Sequence, residues 1–291
     1  MFEVKYLIGN TFYYEAYTNV GIYRLDESKA LLIDACDHKR MAKGLSKELD
    51  SMGLRVDTLI NTHCHVDHIC GNRFFQDKYG CKLLSTGLEQ GFIRKPDMEP
   101  DFYNVALSVE KKNNPFYGIE PSETEIITKE NIPSGFEIIP LPGHSFEMIG
   151  VRTPDDVIFL ADSVLSVNTW KNYKLPFFYS VNKAVETLEK IKDMQAALFV
   201  PSHNAPVQDI RELALYNIEK LLEKKKLVFE LCEEKSFEEI FASVMEKEEL
   251  IIKTSKYCMY AVMVKNLLQS LIEDGVIYTV LENNRMLYLK K

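Results

Sequence analysis

No stretch of the chain approaches the roughly 20 consecutive apolar residues that a membrane-spanning helix needs, so no membrane partner is expected. Met1 to Gly9 mix Glu3 and Lys5 with apolar residues and show neither the basic start nor the apolar run of a signal peptide. The six cysteines, Cys36, Cys64, Cys70, Cys81, Cys232 and Cys258, contain no Cys-x-x-Cys pair, and a chain of 291 residues does not depend on disulfides to fold. Reduced thiols and a cytoplasmic location are therefore expected. Positive charge is in deficit, 35 Lys and Arg against 43 Asp and Glu, for a net charge of −8. That balance disfavours nucleic acid, because holding a phosphate backbone takes clustered Lys and Arg. What the chain does have is material for a core: 46% hydrophobic and 27% charged residues over a length between one large domain and two.

Apolar, β-branched and aromatic stretches broken by turn residues, as in Ile22 to Leu25 and Ala30 to Ile33, predict successive antiparallel strands from Tyr6 to Ala35. The pattern turns helical from Lys39 to Met52, and Val56 to Asn61 then reads as a strand ending at a His-rich segment. A helix over Asn72 to Tyr79 and a strand over Lys82 to Ser85 follow, an alternation that implies a sheet covered by helices. Leu88 to Ser122, rich in Pro, Asn and charge, predicts a long insertion or lid. Strands are expected from Thr124, then over Glu137 to Leu141, Ile149 to Arg152, Val157 to Leu160 and Ala197 to Val200, with helices over Ala184 to Asp193 and from Ile210 to Lys226. Lys224-Lys225-Lys226 is read as a boundary between domains 1–226 and 227–291, and equally fits a solvated helix face. Beyond it come a capping box at Ser236 and Glu239, a helix from Ser255 to Asp274 stopped by Gly275, and a hairpin turning at Asn283-Asn284. This order suggests a small winged-helix-like domain.

Chemistry concentrates at strand ends. In His63-Cys64-His65, alternation lets the two imidazoles point one way and Cys64 the other, while a turn into the next helix would aim Asp67 and His68 separately. Imidazole and carboxylate are ligands suited to zinc, with iron or manganese compatible. A lone histidine is usually a core or surface residue, but chance odds for His-x-His-x-Asp-His in this composition are on the order of one in ten thousand. His144, in Pro142-Gly143-His144-Ser145, and His203, in Pro201-Ser202-His203-Asn204, follow two further strands, and Asp162 ends a third. Only His38 lies outside these motifs. Asp34 and Thr62 fit supports that orient ligand imidazoles, or equally a turn and a cap. Cys64 and Cys70 read as small buried side chains rather than ligands. Trp170 and Tyr173 fit either a pocket wall or an ordinary anchored loop.

Taken in order, Thr62-His63-Cys64-His65-Val66-Asp67-His68, His144, Asp162 and His203 resemble the motifs of the metallo-β-lactamase superfamily over residues 1 to about 225. The resemblance implies an α+β fold, an αββα sandwich, with one metal on His63, His65 and His144 and another on Asp67, His68 and His203, Asp162 bridging both. Two such ions can acidify a bridging water to hydroxide near neutral pH and polarise the substrate oxygen. Asp67 is then the residue able to orient that water or pass its proton.

Within the superfamily, Asp67-His68-Ile69-Cys70-Gly71-Asn72 is similar to the glyoxalase II and lactonase form, implying a small-molecule ester, thioester or lactone substrate. The tail is similar to the winged-helix tails of some single-chain members, β-lactamase-like protein 2 among them, which implies a phosphodiesterase or ribonuclease alternative. From Val228 to Lys291, eight Lys and Arg stand against eleven Asp and Glu, a net −3 that argues against a nucleic-acid-binding wing. A mononuclear iron sulfur dioxygenase and a non-catalytic metal-bound regulator use the same ligands. In the tail, Met259, Val262, Met263, Leu267, Leu268 and Leu271 recur at helical spacing, so apolar surface beyond the tail's own core would enclose substrate or form a homodimer.

Overall fold

The computed structural model describes residues 2–103 and 117–291. Along the chain run β1 (Glu3–Ile8), β2 (Thr11–Glu15), β3 (Val20–Arg24), β4 (Lys29–Ile33), α1 (Lys39–Ser51), β5 (Arg55–Ile60), α2 (Val66–Ile69), α3 (Asn72–Tyr79) and β6 (Lys82–Ser85). Then come α4 (Gly87–Arg94), α5 (Met98–Tyr103), β7 (Glu125–Ile126), β8 (Glu137–Pro140), β9 (Ile149–Arg152), β10 (Val157–Ala161), α6 (Val167–Tyr173), α7 (Val181–Ile191) and β11 (Leu198–Pro201). The last part holds α8 (Arg211–Leu231), β12 (Glu233–Ser236), α9 (Phe237–Lys247), α10 (Thr254–Glu273), β13 (Ile277–Glu282) and β14 (Arg285–Lys290). One sheet is ordered β1-β2-β3-β4-β5-β6-β7, the second β11-β10-β9-β8, and a small third one β12-β14-β13.

The period of two along each strand builds the layers. In β4, Leu31 and Ile33 join Val157 and Phe159 of β10 in a core between the two large sheets. Ala30 and Leu32 point the other way, onto Leu45 and Leu49 of α1 and Phe75 of α3. In β10, Ile158 and Leu160 face outward onto Leu188 of α7 and Leu221 of α8. Two sheets thus stack face to face with helices on both outer surfaces.

Strand direction gathers the functional loops. β4 and β5 run parallel, as do β10 and β11, and β8, antiparallel to β9, points the same way as β10. The loops after β5, β8, β10 and β11 therefore leave one edge of the sandwich. Backbone bonds stitch the sheets together there, Ile149 N–H to Thr62 O at 3.0 Å and Asn19 N–H to Ser202 O at 2.8 Å.

Two expectations need correcting. Leu88 to Ser122 is not uniformly irregular: α4 and α5 occupy its first part, and only 104–116 lie outside the described residues. Both helices are short, which is why no periodicity showed. Secondly, the boundary placed after Lys226 falls inside α8, a helix that runs on to Leu231. Its basic run is a paired face, with Lys224 on Glu248 at 2.7 Å and Lys225 on Asp274 at 2.6 Å. Met263, Val264, Leu267 and Leu268 of α10 are buried in the same apolar core as Leu160, Phe178 and Leu188. The local signals of the tail are realised: Ser236 and Glu239 form the reciprocal capping box, Gly275 takes φ +71, and Asn283 and Asn284 both take positive φ.

Candidate metal centre

Sequence and backbone bring seven side chains to the common edge. His63 and His65 lie just past the end of β5, and α2 carries Asp67 and His68 on its single turn. His144 follows β8, Asp162 directly follows β10, and His203 lies just past β11. Gly143 sits at φ +134 against the backbone of Ala184, where a Cβ would collide, so only glycine can deliver His144 by this route. Two groups result: His63, His65 and His144 form one, and Asp67, His68, Asp162 and His203 form the other. The ligand atoms within each group lie within 4.8 Å of one another.

Three of the rings are held by their outer nitrogens. His203 Nδ1 is 2.7 Å from Tyr17 O, and because a carbonyl only accepts, Nδ1 carries the proton and Nε2 faces inward. Asp34 organises two more rings: its carboxylate accepts from His68 Nδ1 at 2.8 Å, from Thr62 N–H at 2.8 Å and from Thr62 Oγ1 at 2.8 Å. With its own proton committed to Asp34, the Thr62 hydroxyl can only accept from His63 Nδ1, 3.0 Å away. The supporting reading of Asp34 and Thr62 thus matches what they touch. His65 is turned the other way, with Nδ1 2.9 Å from His144 Nε2. Asp67 is braced by the hydroxyl of buried Thr18, which donates at 3.0 Å. His38, the one histidine elsewhere, accepts from Arg40 N–H and caps α1.

Asp162 stands between the groups. Its Oδ2 lies 3.4 Å from both His144 Nε2 and His203 Nε2, and its Oδ1 lies 3.5 Å from His68 Nε2. Burial alone would raise the Asp162 and Asp67 carboxyls, but neighbouring His68 and His203 outweigh it and hold both well below the usual range. Burial likewise opposes charge on His68 and His203, yet the carboxylates around them push both well above an ordinary histidine. In the other group burial prevails. His63 is held well below its ordinary value, His65 is pushed down to about 4 and His144 to about 3, leaving neutral imidazoles with lone pairs to offer.

The donor set fits metal ions. His63 Nε2, His68 Nε2 and Asp162 Oδ1 are buried with no hydrogen-bond partner among the described residues, a costly arrangement that a cation would relieve by taking the lone pairs of His63 and Asp162 and displacing the proton that the carboxylates favour on His68. Five imidazoles and two carboxylates, with no thiolate, suit zinc, iron or manganese.

Cys64 belongs to neither group. It is fully buried, and burial together with Glu99 and Glu89 holds its thiol well above the ordinary value, so it stays protonated. Cys64→Ser is expected to leave metal uptake unchanged and to cost about 1 kcal/mol in stability. Elemental analysis checks this: a metal loss matching that of His63→Ala would make the thiol a ligand.

Sequence reasoning missed two buried carboxylates in the segment expected to form a lid. Glu89 of α4 is fully buried and accepts from Cys64 N–H at 3.0 Å, Ser145 Oγ at 2.8 Å and Glu147 N–H at 2.9 Å. It clasps the loop carrying His63 and His65 to the loop carrying His144. Glu147 returns the contact by accepting from Leu88 N–H at the start of α4. A signal was available, since Glu89 shares the i, i+3, i+4 face with Phe92 and Ile93. Glu99 of α5, also buried, puts Oε1 3.3 Å from His65 Nε2, and no pattern in the sequence marks it.

Comparisons with known proteins agree with this architecture. A probable metallo-hydrolase of Methanocaldococcus jannaschii is 31% identical over 116 residues, covering 39% of this chain and 53% of that protein, so the match spans about half of the relative. A beta-lactamase domain protein from Burkholderia ambifaria superposes with a TM-score of 0.73 at 17% identity, covering 99% of this chain and 93% of the other. A metallo-beta-lactamase family protein from Thermus thermophilus gives 0.68 at 17% identity, with 94% of each chain covered. A metallo-beta-lactamase from Pontibacter korlensis gives 0.58 at 15% identity and covers 76% of this chain and 99% of its own. The first two share the fold through the tail as well; the third leaves about a quarter of this chain unmatched. The family model of the metallo-beta-lactamase superfamily matches residues 13–203, a span that contains all seven residues of the two groups, and the chain belongs to that superfamily.

Proposed function

We propose that the protein is a dinuclear metal-dependent hydrolase of a small ester, thioester or lactone. His63, His65 and His144 would hold one divalent ion, Asp67, His68 and His203 the other, with Asp162 shared, and zinc is the favoured metal. The observation that carries this reading is the position of Asp162, whose two carboxylate oxygens address histidines of both groups. A pair of ions bound there supplies Lewis acidity, polarising an acyl oxygen and lowering the pKa of water toward about 7.

The chain's own groups divide the remaining work. His63 and His68 are closed to solvent, whereas the His203 and Asp67 side chains are 25% and 30% exposed, so substrate and water would enter on that face. Asp67, held at Oδ2 by Thr18, is the carboxylate placed to orient water or carry a proton there. On the opposite side the half-buried Phe177 ring packs against His65 and His144, with centroids 5.7 and 6.1 Å away, an apolar wall suited to an acyl group. The tail, which we take as winged-helix-like, supports that wall: Asn266 of α10 donates to Phe178 O at 2.8 Å. Its net charge of −3 gives no purchase to a phosphate backbone.

Purified protein is expected to carry about two transition-metal ions per chain and to hydrolyse generic ester, thioester or lactone substrates in preference to a phosphodiester. Elemental analysis combined with a substrate panel tests this. No uptake of zinc, manganese or iron, or turnover of the phosphodiester alone, would overturn it.

A further inference from the structure

Three of the site's histidines have an outer nitrogen bonded to a group that fixes the ring: His63 to Thr62, His68 to Asp34 and His203 to Tyr17 O. In each the inward atom is Nε2. His65 is reversed, with Nδ1 toward His144 Nε2, so its outer atom is Nε2, and that atom faces the Glu99 carboxylate at 3.3 Å. We propose that Glu99 is the positioning residue for His65, accepting its Nε2–H and so fixing the tautomer that offers Nδ1 to the first ion. This rests on the dinuclear reading above.

The physical reason lies in the geometry of an imidazole. A ring whose Nδ1 must reach inward can flip about its Cβ–Cγ bond and present carbon instead, and a neutral ring can carry its proton on either nitrogen. Burial, with Glu89 and Asp67 nearby, pushes the Glu99 carboxyl well above its ordinary value, and a cation held by His65 would oppose that shift; as a carboxylate beyond Nε2 it removes both freedoms, since it then has no proton to donate and bonds only the Nε2–H form. Glu99 is itself 2% exposed, so the 3.3 Å contact lies out of reach of water and needs only a small turn of either side chain to become the proposed bond. It comes from α5, in the segment whose sequence reads as a lid, and α5 packs against α10 of the tail. The first group thereby depends on a residue that lies outside every ligand motif.

The test uses zinc alone, titrated into the full-length protein in competition with a chromophoric chelator. Wild type is expected to show two binding steps. Glu99→Ala should weaken one of them by about 10- to 100-fold, the range for loss of a ligand's outer partner, and leave the other in place. Glu99→Gln, whose amide oxygen can still accept, should recover most of that loss. Long-range proton–nitrogen correlation spectra of the zinc-loaded protein supply a readout that a merely structural role would not move. They should show His65 protonated at Nε2 in wild type and in Glu99→Gln, and a mixture of forms in Glu99→Ala. Two unchanged binding steps in Glu99→Ala would overturn the proposal while leaving the dinuclear reading intact, as would an equal weakening of both with no change in the His65 tautomer. A wild-type protein that takes up no zinc would overturn both.

Discussion

Asp162→Ala is expected to strip metal from both groups at once and to lower turnover by about 10³-fold or more, roughly 4 kcal/mol of transition-state stabilisation. The carboxylate lies between His144 on one side and His68 and His203 on the other, so its removal takes a donor from two coordination sets rather than one. It also takes away negative charge that would offset the two proposed cations, and buried charge without a partner is expensive. His63→Ala supplies the control, because it belongs to the first group only and should cost one ion. Elemental analysis and zinc titration of both variants decide the matter. Full metal content and turnover in Asp162→Ala would show that the carboxylate is not shared.

Glu89→Ala is expected to lower folding stability by about 3 to 5 kcal/mol, because two amides and a hydroxyl in or beside the core lose a charged acceptor together. Each group left without a partner costs about 1 to 3 kcal/mol, and the deleted side chain leaves a hole besides. Glu89→Gln keeps the volume and one acceptor oxygen. Its amide would face Cys64 N–H or Glu147 N–H, donor against donor, so an intermediate loss is expected. Urea unfolding of the metal-free proteins measures this separately from ligand effects. An alanine variant within about 0.5 kcal/mol of wild type, the ordinary range for surface positions, would show that the clasp contributes nothing.

Much of the site was legible because its residues are chemically rare and locally spaced. His63, His65, Asp67 and His68 fall within six residues, and a strand end followed by one helical turn is enough to splay them into two groups. Gly143 before His144 and the strand ends before Asp162 and His203 are likewise local signals. Strands such as β4 and β10 were legible as short continuous apolar runs, which the fold buries on both faces, and α1 from the helical spacing of its apolar residues. Positive-φ turns at Gly275 and Asn283-Asn284 were legible from residue type alone.

By itself, then, the sequence determined the seven candidate ligands, the layered α+β class and the local punctuation of the tail, since each depends on neighbours within a few residues. Only the tertiary structure decided what depends on groups far apart in the chain. Glu99 reaches His65 across 34 positions and Asp34 reaches His68 across the same separation, and no local period encodes such a meeting. The reversal of the His65 ring was equally invisible, because which nitrogen faces inward is set by what lies behind the ring. In α8 the distant acids Glu248 and Asp274 pair with the buried Lys224 and the half-buried Lys225, so the apparent break is part of one continuous helix on which, of the three lysines, only Lys226 stays exposed.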